Sequence, residues 1–261
     1  MGERLDREER MSNGIKAWSW SRFADYKQCP RKAKFKHVQR MKEPGSAAME
    51  RGSKIHGVLS GYINGVIKTL PKVLRYEFDG RKYDEKFPDM KFFAAEFKAL
   101  RAAYKKKNHD GMTCEDDWAF TRSWGITRWD DWVGCWVRMK LDLAHVVGKT
   151  LVITDWKSGR SREEDKQAYL AQLELYAIAG LIKYPEIDTV LPRLVFVDAG
   201  VVFEGEPVER KQLEKLKKAW VKTTAPMFLV TIFAPRPNSK CRWCWFGQSK
   251  KAEGGPAVCE Y

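Results

Sequence analysis

Asp155 and Lys157 stand two residues apart at the end of the apolar, β-branched run LVITDWKSGR, residues 151–160. Side chains of a strand alternate between faces, so the carboxylate and the ammonium point the same way and Trp156 points into the opposite layer. A salt-bridged pair at a strand end is the plain structural reading. The segment before it supplies a second acid. KLDLAHVVGKTLVITDWK reads as a hairpin turning at Val147-Gly148. With Val146 and Lys149 flanking a two-residue loop, Asp142 lies opposite Ile153, and Asp142, Asp155 and Lys157 share one face with the carboxylates on a diagonal. Two carboxylates on a face destined for burial are expensive unless a cation lies between them. Oxygen ligands favour Mg2+ or Mn2+. An ammonium beside a metal-bound water orients that water and offsets charge on a pentavalent phosphate, which is the chemistry of phosphodiester hydrolysis.

Further residues join this set with less force. Gln172 and Tyr176 lie one turn apart on a helix and share a face, although for this pair alone the polar edge of an amphipathic helix is the better explanation. His56, in GSKIHGVL, and Glu115, in TCEDDWAF, read alone as a satisfied histidine and a surface acid.

The elements that must position these residues follow from periodicity and stop signals. SWSRFADYKQCPRKAKFKHV reads as a helix interrupted near Cys29-Pro30. Residues 49–66 form a helix with Met49, Ile55, Leu59 and Tyr62 on one side, and a third helix spans about 89–107. Strands are expected over 117–124, 132–146 and 149–155. EEDKQAYLAQLELYAIAGLIKY is the clearest helix, with Ser161 and Glu164 as a capping box. RLVFVDAG into VVFEG is a further strand before a helix over about 207–225.

The chain has 261 residues, 44% of them hydrophobic, enough for a proper core. The formal charge is +14 with 11 Trp, and a protein this basic usually meets a polyanion; nucleic acid is the leading partner. RKAKFKH, YKKKNH and KQLEKLKK carry much of the charge in three distant places. No stretch approaches a membrane span, and the charged start MGERLDREERMSNG lacks the apolar segment of a secretory signal. The expected compartment is therefore the reducing cytoplasm, where six Cys suggest metal or cluster ligation before disulfides.

The ordered set His56, Glu115, Asp142, Asp155-Trp-Lys157 and Gln172 to Tyr176 resembles the RecB-like branch of the PD-(D/E)XK nuclease superfamily, which includes RecB and AddB nuclease domains and CRISPR adaptation nucleases. SWSRFADYKQCPRKAKF is similar to that branch's S-x-S-x-x-x-x-Y-x-x-C-P start. The resemblance runs from about residue 18 to 259. It implies an α/β, restriction-endonuclease-like core, with a central mixed sheet flanked by helices. It implies a metal held by His56, Asp142 and Asp155, with Glu115 reaching it through a water. Lys157 would assist catalysis, and Gln172 and Tyr176 would contact the site and DNA. It also implies that Cys29, Cys241, Cys244 and Cys259 hold a four-iron four-sulfur cluster joining the two ends of the domain. The interval from Cys244 to Cys259 is longer than the family pattern, and zinc is the competing occupant. Cys114 and Cys135 read as packing residues.

The expected organisation is a disordered tail over 1–16 and one nuclease domain over 17–261. That domain divides into a helical part (17–110), a catalytic core (111–205) and a C-terminal helix with a cysteine-rich tail (206–261). The expected function is metal-dependent DNA cleavage, exonucleolytic on single-stranded or end-frayed DNA. Replication, repair or recombination would be the setting, among proteins of those processes, in a host cytoplasm if the chain is phage-encoded. A structure-selective endonuclease and a catalytically silent DNA-binding module stay open as alternatives.

Overall fold

The structure, a computed structural model, describes residues 14–105 and 111–261. Of the expected tail, residues 1–13 lie outside the described residues. So do residues 106–110, which hold most of the YKKKNH run and the end of the helix expected over 89–107.

In chain order the elements are α1 (Trp20–Gln28), α2 (Pro30–Ala33), a π-helical turn (Lys34–Val38) and α3 (Ala47–Ile63). The hairpin of β1 (Val73–Phe78) and β2 (Arg81–Lys86), α4 (Ala94–Tyr104), β3 (Met112–Phe120) and β4 (Ile126–Thr127) follow. Next come β5 (Val137–Val147), β6 (Thr150–Lys157), α5 (Lys166–Lys183), β7 (Thr189–Phe196), β8 (Val201–Glu204), β9 (Val208–Glu209) and α6 (Leu213–Leu229). The β1–β2 hairpin went unread in the sequence, although Asp79-Gly80 between two alternating runs is its ordinary signal.

The main sheet has the order β4-β3-β5-β6-β7-β8, and β9 pairs with β7. It is mixed: β6 runs antiparallel to β5 and parallel to β7, and β7 runs antiparallel to β8. The β5–β6 register pairs Val147 with Thr150 and Leu143 with Thr154, so the two-residue turn is Gly148-Lys149. Gly148 supplies the left-handed φ of 61° that the turn needs. The expected turn at Val147-Gly148 is thus corrected by one position, which moves the register by two. Two is the period of a strand, so each side chain keeps its expected face.

The chain divides into two compact units. One comprises the described parts of Met1–Pro44 with Ala119–Arg138 and Lys218–Tyr261; the other comprises Gly45–Trp118 and Met139–Lys217. The consecutive parts expected from the sequence differ from these units. β3 and β5 each begin in one unit and end in the other, a crossing that hydropathy along the chain does not register.

In the second unit, Ile55, Leu59 and Ile63 repeat at helical spacing along α3 and are fully buried. They share a core with Phe97 and Leu100 of α4 and with Leu143, Trp156 and Val195 of the sheet. Met49, expected on the same side, is 68% exposed; it lies in the first turn, where its N–H donates to the capping hydroxyl of Ser46. α5 packs on the sheet through Gly180. A Cβ there would come within 2.7 Å of a Leu151 methyl and 2.9 Å of an Ile153 methyl, so any side chain at this position would have to push them aside. The Ser161–Glu164 capping box does not form. A 3-10 turn over Glu163–Asp165 precedes α5, and its three acids meet the positive end of the helix dipole instead.

In the first unit, Ser19 caps α1, and Cys29 in extended conformation separates α1 from α2, which begins at Pro30. Trp18 packs among Phe23, Trp136 and Trp220, stacking on Trp220 at a centroid distance of 5.6 Å. The tryptophans are therefore mainly core residues rather than a base-stacking surface. Trp18, Trp118, Trp124, Trp136, Trp156 and Trp220 are buried, whereas Trp132 and Trp243 are exposed. No helix among the described residues is long and apolar enough to cross a membrane.

Candidate active site

The site forms where β5 and β6 part. Their ladder ends at Leu143 and Thr154, and the N–H of Trp156 donates to Asp142 Oδ2 at 2.6 Å. A carboxylate thus replaces a carbonyl at the splay of two strands, and Asp142 is buried there, 7% exposed. Trp156 enters the core as alternation requires, 5.9 Å from Phe97. Asp155, 6% exposed, faces the other way, and its Oδ2 lies 2.7 Å from Lys157 Nζ.

α5 completes the surroundings of Asp155. The Tyr176 hydroxyl donates to Asp155 Oδ1 at 3.1 Å, and Gln172 Nε2 reaches the same oxygen at 3.3 Å. Gln172 Nε2 also donates to the Tyr176 hydroxyl at 2.8 Å. The shared face expected for this pair is therefore turned toward the acid. Leu173 and Leu175 on either side of Gln172 are buried and fix the helix on the sheet.

His56 and Glu115, weak candidates by themselves, converge on Asp142. His56 Nδ1 lies 3.0 Å from Asp142 Oδ1. Donor atoms of His56, Glu115 and Asp142 lie within 4.8 Å of one another, the one such group of three or more His, Cys, Asp or Glu among the described residues. Glu115 belongs to this group and Asp155 does not. Glu115 sits in β3 with φ of 53°, a left-handed conformation that a non-glycine residue adopts at a cost. Periodicity does not encode such a kink.

The electrostatics point one way. Burial raises the Asp155 carboxyl above its ordinary pKa, a shift that Lys157 opposes and Asp142 reinforces. Burial and Asp142 raise Glu115. Burial disfavours the charged form of His56, but its hydrogen bond and attraction to Asp142, with Asp155 and Glu115, prevail and hold its pKa above the usual value. The neighbouring Cys114 thiol is pushed up to about 12 by burial, Glu115 and Asp142, so it stays neutral and packs. Beyond burial, each shift carries a contribution from neighbouring carboxylates, which a divalent cation would relieve. Oxygen donors plus one imidazole suit Mg2+ or Mn2+, and the exposure of Glu115 leaves the group open to solvent.

A clamp missed in the sequence holds the end of β6. Asp198 accepts both Nη atoms of Arg51 at 2.8 Å and the N–H of Gly159 at 2.7 Å. Arg51 lies five residues before His56 on α3, and its chemistry shows only once the turn after β7 is in place.

The cysteines expected to join form a separate set in the other unit. Cys29, Cys241, Cys244 and Cys259 line one cavity with Phe35 and Phe246. The N–H of Arg236 donates to Cys29 Sγ at 3.4 Å, and that of Asn238 to Cys241 Sγ at 3.3 Å. All four are free thiols, and no three of them bring their sulfurs within 4.8 Å of one another. Sulfurs around a single zinc ion at about 2.3 Å would lie closer together than that. Cys135 is buried beside Ala17 and Ala119, as packing requires.

Solved structures similar to this chain include the following two. SSO0001 aligns at 11% identity with a TM-score of 0.41, covering 94% of each chain. The "Putative exonuclease" from Eubacterium rectale aligns at 12% identity with a TM-score of 0.43, covering 95% of this chain and 93% of that one. No curated protein matches this chain. A family profile described as the PD-(D/E)XK nuclease superfamily matches residues 17–249, spanning both units. That superfamily comprises metal-dependent nucleases with a restriction-endonuclease-like mixed sheet. With its sheet, its acid-x-lysine strand end and this match, the chain belongs to the PD-(D/E)XK nuclease superfamily.

Proposed function

We propose that the protein is an exonuclease of the RecB-like branch that degrades single-stranded or end-frayed DNA in replication, repair or recombination. The observation that carries this reading is the meeting of two buried carboxylates, Asp142 and Asp155, with Lys157 at one strand end and with His56 and Glu115 beside Asp142. His56, Asp142 and Asp155 would hold a divalent ion, with Glu115 joining them. Such an ion supplies Lewis-acid activation of water and charge neutralisation at the phosphate. Lys157 positions the attacking water and offers its ammonium to the developing phosphorane charge. Gln172 and Tyr176 hold Asp155 Oδ1, which leaves Oδ2 for Lys157 or the ion.

The four-cysteine cavity is read as the seat of a four-iron four-sulfur cluster. Its backbone N–H donors to sulfur suit thiolates, and its sulfurs are spread wider than one ion needs.

The test is a nuclease assay on end-labelled single- and double-stranded DNA with Mn2+, Mg2+ or chelator. The expected result is shortening of single strands from an end, with either metal and not in chelator. Cleavage of covalently closed single-stranded circles would replace exonuclease by endonuclease. An intact substrate under every metal condition would remove the nuclease reading.

A further inference from the structure

A second cationic site lies in the unit that carries the cysteines. Lys16, Arg22, Arg40 and Arg138 line a cleft of about 640 Å³ whose rim includes Trp132. Four positive side chains around one concavity repel one another unless an anion is present. Among the described residues none of the four has a carboxylate ion-pair partner, whereas their neighbours Lys36 and His37 are both engaged by Asp25. Asp131 attracts Arg138 from a distance, but its oxygens are taken by Thr127 and by the N–H groups of Val133 and Gly134.

Arg138 is the most telling member. It is 9% exposed, its Nε donates to Trp129 O at 2.9 Å, and its Nη2 is buried with no acceptor. A buried guanidinium N–H without an acceptor is uncommon in a folded protein. The Trp132 ring lies over this guanidinium, its centroid 4.8 Å from Cζ, yet the residue is 75% exposed. Burial, together with repulsion from Arg138 and Arg40, also pulls the Arg22 guanidinium below its ordinary pKa. Arg40 holds a φ of 55°, a strained conformation for a non-glycine residue.

We propose that this cleft binds a phosphate of a DNA strand through Arg22, Arg40 and Arg138, with Trp132 stacking on the adjacent base. The inference rests on the nucleic-acid reading above and adds a strand contact made by none of the residues of the carboxylate site. Guanidinium pairs with phosphate oxygens, and an aromatic ring accepts any base. A strand phosphate can be an internal diester or a terminal monoester, and both present the same oxygens.

The test is fluorescence anisotropy of the full chain with labelled oligothymidylate in chelator, which keeps binding separate from cutting. Arg40→Glu and Trp132→Ala alter exposed side chains and should fold. Arg40→Glu should weaken binding about tenfold and lower the slope of log affinity against log salt by about one. Trp132→Ala should weaken binding about tenfold with an unchanged slope, and the loss should vanish on an abasic strand. A loss confined to 5′-phosphorylated strands would identify the terminal monoester, and an equal loss on unphosphorylated strands the internal diester. Both variants binding every strand like wild type would overturn the site. Because no metal is present, that outcome leaves the nuclease reading standing, and failure of the cleavage assay leaves this measurement intact.

Discussion

The carboxylate site and the cysteine cavity are built by opposite means. Asp142 and Asp155 are satisfied by side chains and amides already ordered by the sheet and two helices: His56, the Trp156 N–H, Lys157, Gln172 and Tyr176. The cysteines are brought together from distant parts of the sequence: Cys241 lies in a 3-10 segment, Cys29 and Cys244 lie in extended conformation at helix ends and Cys259 in an irregular stretch, and backbone N–H groups donate to the sulfurs of Cys29 and Cys241. The first site keeps its geometry through its own hydrogen bonds. On the proposed cluster reading, the second would close a loop of more than two hundred residues and would keep its geometry through the bound group.

The sharpest break of this contrast is at Asp155 and Lys157. Asp155→Asn and Lys157→Ala should each lower cleavage by about a hundredfold or more while leaving the thermal midpoint within a few degrees. Collapse of the fold in either variant, seen by circular dichroism, would show that the carboxylate site is not self-supporting. For the cavity the order reverses. Cys29→Ser or Cys244→Ser should remove the brown colour of anaerobically purified protein, reduce solubility and lower the midpoint by more than about 5 °C. Cys114→Ser and Cys135→Ser should keep the colour. Colourless wild-type protein carrying one equivalent of zinc would replace the cluster by a zinc staple.

A smaller effect sharpens the sheet side. Gly180→Ala puts a methyl group against Leu151 and Ile153 and should cost about 1–2 kcal/mol, part of it returned by the better helix propensity of alanine. Because α5 carries Gln172 and Tyr176, cleavage should fall further than stability, measured as activity and denaturant midpoint on the same samples. The smallest effect belongs to Asp25. Burial opposes its charge, but hydrogen bonding from His37 and the charges of Lys32 and Lys36 hold its carboxyl well below the usual range. A depressed folded-state pKa stabilises fully above the unfolded value of about 4, and that contribution is lost as pH falls through the folded value. Asp25→Asn should flatten the acid limb of a plot of thermal midpoint against pH.

Much of this was legible in the sequence. The alternation around Trp156, the helical spacing of Ile55 and Leu59, and the i,i+4 pair Gln172 and Tyr176 all appear in the structure with the expected facing. What escaped was set by backbone geometry and long-range pairing. The left-handed φ of Glu115, a member of the group around Asp142, has no signature in residue type. The interleaving of two units depends on where β3 and β5 cross, which no window of local pattern contains. The tryptophans misled because composition counts rings without saying which are enclosed by other rings. The basic run at Lys32, Lys36 and His37 likewise spends its charge on Asp25 rather than on a ligand.

The tight turn at Gly148-Lys149 also bears on how this gene can vary. A deletion or insertion of one codon in the β5–β6 hairpin shifts the pairing by one residue and turns every side chain of one strand to the opposite layer. Asp142 would then leave its place at the Trp156 amide while Leu141 or Leu143, according to the direction of the shift, replaced it, a loss of the acid without any substitution. Changes of two codons preserve facing and move the acid by one step of the ladder. Viable length variants at this hairpin should therefore differ by even numbers of residues, an arithmetic that a library of single- and double-codon insertions at Gly148 would expose.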